Sequence, residues 1–316
     1  MGRRKATGRP IHGWLVIDKA EGMTSTHVVA VVKRLTNAQK VGHGGTLDPL
    51  ATGVLPIAMG DATKTVPYVM DAAKAYRFRL RLGEQRDTDD ATGAVIATSA
   101  ERPDDAAIRS ALGGFRGLIQ QVPPRFATVK IQGERAYDIA RRGGTVELAP
   151  REVRIDELEL VGRPDADHID LEMRCGKGAY VRAIARDLGL ALGCFAHVAA
   201  LRRTQVGPFL AEEAITLDNL ASIVADDSLP QVLVPVTTAL AGIPALAVTE
   251  PQALRLRAGQ AIRVAPALLG ECGGEQPATV RAMRAGELVA LARLDGVELS
   301  PVRVFSSHAM PNGTRP

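Results

Sequence analysis

From Lys74 to Gly83 the chain reads Lys-Ala-Tyr-Arg-Phe-Arg-Leu-Arg-Leu-Gly, the cleanest alternation it contains. Successive side chains of a strand point to opposite sides. Tyr76, Phe78, Leu80 and Leu82 therefore share one face, and Arg77, Arg79 and Arg81 share the other. This pattern demands a sheet with one packed face and one wet, cationic face. Such a stripe suits a polyanion, although it is more often the solvated side of a sheet. Tyr76 begins the strand, in position to present its ring at a cleft mouth.

Other segments join this one. Gly13–Lys19 is a short apolar strand, and Leu55–Met59 is another, with Pro56 expected at an edge or bulge. Glu152–Leu160 and Ile169–Cys175 alternate as strands do. A helix is predicted from about Thr26 to Leu35, capped by Thr24 or Ser25 and burying Val28, Val29, Val31, Val32 and Leu35. Asp61–Lys64 opens a short helix toward Met70, and Asp104–Leu112 forms another. Gly176-Lys177-Gly178 turns into a helix over Ala179–Leu192, with Tyr180 and Arg182 at its start. A helix N-terminus after a glycine turn favours anions, but this turn is too short for a Walker loop. Ser228–Gly242 is apolar, proline-punctuated and poor in helical period, which marks a domain boundary. Short β-like pieces follow at Ala261–Val264, Pro277–Arg281, Leu288–Arg293 and Val302–Phe305, with turns near Gly259, Gly286 and Gly296. They suggest a small β-rich barrel of about 70 residues.

The stretch Val41-Gly-His43-Gly44-Gly45-Thr46-Leu47-Asp48-Pro49-Leu50-Ala51-Thr52-Gly53 reads as a continuous loop. Its glycines allow positive φ and close approach to a ligand. Pro49 biases Asp48 away from αR. Asp48 is the only carboxylate between Glu21 and Asp61. A lone acid on a glycine-shaped loop is a candidate nucleophile or base; the plainer alternative is a solvated Asp-Pro turn. His43 reads as a base, a ligand or a turn residue, with a positioning role favoured for want of a second ligand.

Composition narrows the function classes. The 316 residues, 46% of them hydrophobic, suffice for two domains with cores. A net charge of +4 and a pI near 9.1 permit nucleic-acid binding without requiring it. Beyond Gly178 there is no lysine; arginine suits bidentate phosphate contacts, and codon bias explains it equally well. Cys175, Cys194 and Cys272 show neither a disulfide framework nor zinc spacing, and they fit a reducing compartment. No metal site is expected: the acidic turn Glu84–Gly93 lacks a full calcium-loop spacing and reads as hydrogen-bonded. No apolar run of about 18 residues exists to span a membrane. The opening Met-Gly-Arg-Arg-Lys-Ala-Thr-Gly-Arg-Pro is a basic tail over residues 1–10, not a signal peptide. Arg125 to Gly144 is basic and bracketed by Pro and Gly, with a short helix over Arg135–Arg142; it reads as a mobile arm.

Taken in order, these motifs resemble the TruB-type tRNA pseudouridine-55 synthases of bacteria. The match rests on Gly42-His43-Gly44-Gly45-Thr46-Leu47-Asp48-Pro49-Leu50-Ala51-Thr52-Gly53, on Asp18-Lys19-Ala20-Glu21-Gly22-Met23-Thr24-Ser25, and on Lys74-Ala75-Tyr76. The acidic turn through Asp87, Thr88, Asp90 and Gly93, Lys177–Arg182, and His197-Val198-x-x-Leu201-Arg202-Arg203 add to it. Departures are Ala20 for proline, Gly44 and Thr46 inside the loop, Ala179 for threonine, and Thr128 for alanine in the arm.

The resemblance implies an α+β fold. A mixed, largely antiparallel sheet with flanking helices would form a catalytic domain over 11–240, with an RNA-gripping arm at about 125–150. A small β-rich PUA-like domain would occupy 241–312. The implied reaction isomerises a T-loop uridine of tRNA: the N-glycosidic bond breaks, the base turns and a C–C bond forms. Asp48 would attack the sugar carbon or the ring, or remove a ribose proton, and the three routes stay open. Arg182 would keep Asp48 charged and oriented. Tyr76 would stack on the flipped uracil with its phenol near the moving proton; Tyr180 and Leu201 would line the pocket, and His43 would hold the extruded loop. Lys64, Arg141, Arg142 and Arg202 are candidate phosphate contacts. The implied partner is the tRNA T-arm stem-loop. No cofactor, metal, membrane or obligate protein partner is expected, and a cytoplasmic monomer is. A non-enzymatic RNA-folding module is the rival reading; a phosphoester hydrolase would need a metal or phosphate loop that the sequence does not show.

Overall fold

The computed structural model describes residues 8–126, 130–131, 134–135, 148–265 and 278–306. Its strands are β1 Gly13–Lys19, β2 Val41–His43, β3 Thr52–Met59, β4 Lys74–Leu82, β5 Glu84–Arg86, β6 Val95–Thr98, β7 Gly117–Gln121, β8 Lys130–Ile131 and β9 Glu134–Arg135. These are followed by β10 Arg151–Gly162, β11 His168–Cys175, β12 Ala196–Val206, β13 Phe209–Leu210, β14 Ala245–Ala247, β15 Ile262–Arg263, β16 Ala278–Arg284, β17 Glu287–Asp295 and β18 Glu298–Val304. A nine-stranded sheet runs β1-β3-β12-β4-β11-β10-β7, with β2 added to β3 and β13 to β12. Every pairing in it is antiparallel except the short β3–β12 contact. The expected mixed, largely antiparallel α+β architecture is the one observed.

β4 holds the middle of this sheet. Phe78, Leu80 and Leu82 are buried among Leu171, Ile169 and Val198, while Arg77 and Arg79 are exposed. The cationic stripe is answered by acids. Arg79 grips Asp170 at 2.7 and 2.9 Å, Arg77 lies 3.8 Å from Glu172, and Arg81 lies 2.9 Å from Glu84. The wet-face reading of the stripe therefore fits better than an open polyanion surface.

Local signals placed the helices well. Ser25–Thr36 is capped by Thr24, whose side chain accepts from His27 N, and Asp104 caps Asp105–Leu112 in the same way. Two expectations about the larger sheet needed correction. The stretch 41–53 is not one loop: Val41–His43 pairs with β3, and β3 starts at Thr52. Pro56 is not at a sheet edge. It lies opposite Val16 of β1, and its other side faces the gap between the β2 and β12 pairings, where its carbonyl accepts from Gly44 N at 2.8 Å. The missing N–H of proline falls in that gap.

The second sheet, β14-β16-β17-β18-β15, has its own apolar core of Leu246, Leu256, Val280, Leu294 and Leu299 with their neighbours. The sequence reading missed the helix Glu250–Arg257, although Thr249 and Gln252 form a capping box at its start. The apolar segment before this sheet, expected to mark a domain boundary, is tied to the larger sheet. Val234 exchanges two backbone hydrogen bonds with Trp14, both 2.8 Å, and Leu229 is buried in the main core. Within the expected tail, Arg9 bridges to Ala38, and residues 1–7 lie outside the described residues. Arg135, expected to start a helix, pairs with Lys130 in the β8–β9 hairpin instead; the rest of that helix lies outside the described residues.

Candidate functional site

Asp48 sits on the connection between β2 and β3, and three side chains distant in sequence fix that connection. Ser25 Oγ accepts from Leu47 N at 2.9 Å and donates to Leu47 O at 3.1 Å. Lys19 Nζ donates to Ala20 O and Met23 O, both 2.8 Å, and to Pro49 O at 3.2 Å. Arg203 donates to Val54 O, Thr46 O and Gly45 O at 2.8, 3.1 and 3.2 Å. Buried carbonyls need such partners, since an unmet one costs about 1–3 kcal/mol. Glycine is required twice. A Cβ on Gly44 would lie 2.7 Å from Val69 Cγ1; one on Gly53, at φ +95°, would lie 2.2 Å from Arg203 O.

The loop presents Asp48 to Arg182, on the first turn of the helix Val181–Ala191. Arg182 Nε donates to Asp48 Oδ2 at 2.9 Å; the Arg182 side chain is 6% exposed and that of Asp48 30%. The rest of the guanidinium donates to Thr88 O at 3.2 Å and Phe126 O at 3.1 Å, and Asp90 Oδ2 lies 3.8 Å from Nε. Asp90 is itself locked: its Oδ1 accepts from Thr88 Oγ1, Thr92 N and Thr92 Oγ1 at 2.8, 3.0 and 2.6 Å. A charge-assisted bond of this length, with one partner nearly dry, keeps the carboxylate aimed. The half-open state of Asp48 leaves it reachable by a substrate.

Cations surround the acid. Burial pushes Lys19 down to about 8, with the negative charge of Asp48 pulling the other way. Burial also lowers the affinity of Arg203 for its proton, opposed by Tyr76 and Asp48. Tyr76 stands directly across from Arg203 on β4 and β12. Burial drives its phenol up to about 12 against the pull of the Arg203 guanidinium, so Tyr76 keeps its proton at neutral pH. Asp48, Arg182, Arg203, Lys19 and Tyr76 thus form one electrostatic unit.

The remaining predicted residues divide. His43 ends β2, and its Nδ1 accepts from Gly45 N at 3.3 Å, shaping the loop. Leu201 is 8% exposed, and its carbonyl accepts from Thr52 Oγ1 at 3.4 Å. It lines a cleft of about 460 Å³ together with Leu50, Thr52, Phe78, Arg77 and Arg202. That volume falls in the roughly 300–1,000 Å³ range of small-ligand sites. Asp48, Tyr76 and Tyr180 do not line this cleft; Leu50 and Thr52 connect it to their loop. Tyr180 precedes the first turn of its helix. Arg202 is held by Asp18 through two bonds of 2.9 and 2.7 Å. Lys64 is engaged with the second sheet: it donates to Val304 O at 2.7 Å and pairs with Asp61 at 2.6 Å. Arg141 and Arg142 lie outside the described residues. Among the described residues no group of His, Cys, Asp and Glu could hold a metal, and no helix is long and apolar enough to cross a membrane.

Sequence reasoning placed Arg203, Ser25, Lys19 and Asp90 in motifs, and Ser25 as a possible helix cap, but gave none of them a role in the site. Arg202 and Arg203 look equivalent in sequence, but β12 carries bulges at Val198/Ala200 and Arg203/Gln205. Strict alternation therefore could not tell which arginine points inward.

Comparison with known proteins decides the family. Residues 33–181 match the N-terminal domain model of the TruB family pseudouridylate synthases, and residues 182–241 match the tRNA pseudouridylate synthase B C-terminal domain. The tRNA pseudouridine synthase B of Gluconacetobacter diazotrophicus is 53% identical over 96% of this chain and 100% of that protein. That of Bradyrhizobium diazoefficiens is 54% identical over 94% of this chain and 87% of that protein. The chain belongs to the TruB family of pseudouridine synthases. It is thus an isomerase. Among solved structures, an H/ACA RNP bound to a substrate RNA containing 2′-deoxyuridine matches with a TM-score of 0.72 at 25% identity, over 96% of this chain and 92% of that one. A Cbf5-Nop10-Gar1 complex matches with a TM-score of 0.72 at 26% identity, over 93% and 85%. The TruB matches span the segment in which Asp48, Tyr76, Arg182 and Arg203 meet.

Proposed function

We propose that this chain converts the uridine at position 55 of the tRNA T loop to pseudouridine, with Asp48 as the reacting carboxylate. The observation that carries the reading is the 2.9 Å bond from the nearly dry Arg182 to a half-exposed Asp48. The reaction needs a carboxylate at the sugar and base, held charged in a site that excludes water. The glycosidic N1–C1′ bond breaks, the uracil turns, C5 bonds to C1′, the C5 proton leaves, and N1 takes up a proton. Tyr76 retains its proton at neutral pH, so it stacks on the ring and donates a hydrogen bond. Tyr180 walls the pocket beside Arg182, Leu201 walls the adjoining cleft, and His43 braces the loop that meets the extruded nucleotide. Flipping the base out costs a few kcal/mol, which stacking on these side chains offsets in part. The 125–150 segment and the PUA-like domain expected over 241–312 hold the RNA backbone.

The test is release of tritium from uracil C5 on a T-arm stem-loop. Wild type should release it, and Asp48→Asn should not while still binding the RNA. Full activity of Asp48→Asn would refute the reading; loss of activity only on removing the 125–150 segment would favour an RNA-folding module instead.

A further inference from the structure

The chain leaves the sheet after β7 and returns to it at β10, and the two roots of that excursion stand side by side, Gln121 paired with Arg151. Both side chains converge on Tyr180. Gln121 Oε1 accepts from Tyr180 N at 2.8 Å, and its Nε2 donates to Tyr180 O at 3.2 Å. A side-chain amide here imitates a neighbouring strand. Gln121 is 1% exposed, so it has no water to exchange for those partners. It fixes the Tyr180 backbone in an extended conformation, φ −112° and ψ 120°, just before the helix that carries Arg182. Arg151 fixes the ring. Its guanidinium carbon lies 4.7 Å from the ring centroid, and it also donates to Gly178 O. A guanidinium over an aromatic face is attracted by the ring quadrupole, and its planarity makes the stack specific.

We propose that Arg151 is a positioning residue of the pocket: by covering one face of the Tyr180 ring it holds the opposite face ready for the flipped pyrimidine. The proposal rests on Tyr180 being a pocket wall. Arg151 itself touches no reacting atom. Its contribution is to pre-order a ring that would otherwise turn about χ1, so that binding the base does not have to freeze it. The same cradle ties the catalytic helix to the two ends of the excursion.

The experiment is a double-mutant cycle on the full chain with a T-arm stem-loop, read as kcat and KM under multiple turnover and as the single-turnover rate. Arg151→Met should lower kcat/KM about tenfold and Arg151→Lys about threefold, since lysine keeps the charge but loses the planar stack. Thermal unfolding of each variant is recorded alongside, with Arg151→Lys as the folded reference. In a Tyr180→Ala background, Arg151→Met should change kcat/KM by less than about twofold, because the ring it acts through is gone. The slope of log KM against log salt should match wild type. A second tenfold loss in the Tyr180→Ala background overturns the proposal while leaving the pocket intact. A slope reduced by about one marks a phosphate contact and overturns it equally. Wild-type kcat/KM in Tyr180→Ala itself removes the pocket reading and the proposal together.

Discussion

The two sheets of this protein are built on opposite rules about buried charge. Among the described residues, every buried polar or charged side chain falls between Lys19 and Arg203, within the span of the larger sheet. The second sheet closes over Leu246, Val248, Ala253, Leu256, Ile262, Val280, Leu294 and Leu299, and its core is apolar throughout. A purely apolar core is the cheaper way to be stable, because burying charge without a partner carries a heavy desolvation penalty. The larger sheet accepts that penalty at several places, Lys74, Asp61 and Asp89 among them, and most densely around Asp48, where Arg182, Arg203, Lys19 and Asp90 satisfy one another or nearby carbonyls. Partnered charge at one site is what electrostatic catalysis requires. The smaller sheet carries no such buried charge among the described residues.

The contrast can be broken most forcefully at Arg182. Arg182→Met strands Asp48 and Asp90 as neighbouring acids and frees the carbonyls of Thr88 and Phe126. Tritium release should fall at least about a hundredfold in kcat through misplacement of Asp48. Urea unfolding should show a loss of about 3–5 kcal/mol, as for a buried pair deprived of one partner. A kcat within tenfold of wild type would mean that the pair is ornamental.

Leu294→Ala probes the other rule. Leu294 is fully buried in the smaller sheet, and truncation should cost about 2–5 kcal/mol in urea unfolding. The single-turnover rate with saturating RNA should stay close to wild type, since no charged group of the site is disturbed. A large drop in that rate would show that the two sheets are not separable in function.

Asp89 sharpens the comparison through pH. Burial raises its carboxyl from 3.8 to about 6, while Arg186 and Arg182 pull it back. Its folded pKa lies above its unfolded one, so the fold favours the protonated form. That contribution is complete below the unfolded value and is lost as pH rises through about 6. Asp89→Asn should therefore flatten the fall in stability between about pH 4 and 6.5, by an amount on the order of 3 kcal/mol at most. An unchanged stability–pH slope, measured by denaturant titration across that window, would exclude Asp89 as its source.

The smallest effect is expected where the sheets meet. Lys64 joins Asp61 and Val304 O, Asp61 accepts from Ser306 N at 2.7 Å, and Lys64 lies over the Phe305 ring at 5.4 Å. Lys64→Met should lower stability by only about 1 kcal/mol, the usual net worth of such bonds. Hydrogen exchange should nevertheless quicken in β18 more than in β4. Equal acceleration in both strands would deny this contact its local role.

Much of the fold was legible because its signals are local. The alternation of Tyr76 to Leu82 fixes a strand and its packed face through side-chain geometry alone. Thr24 and Asp104 announce helix starts because capping is a matter of three or four residues. The helix Glu250–Arg257 carried its cap in plain view, yet its surroundings read as β and its apolar stripe is weak. Pro56 was misplaced because what a proline needs, a gap in the pairing, is a property of the neighbouring strands.

The sequence by itself determined that a conformationally constrained acid stands on a glycine-rich turn beside a half-buried strand, since φ preferences and alternation act over a few residues. Only the tertiary structure decided which cations that acid meets. Asp48 and Arg182 are separated by 134 positions, and Arg203, not its neighbour Arg202, turns inward on a bulged strand. Long-range pairing also carried Lys64 to the second sheet and Arg151 to the Tyr180 ring. Contacts of that kind depend on how sheets close and where bulges fall, and no window of sequence holds that information.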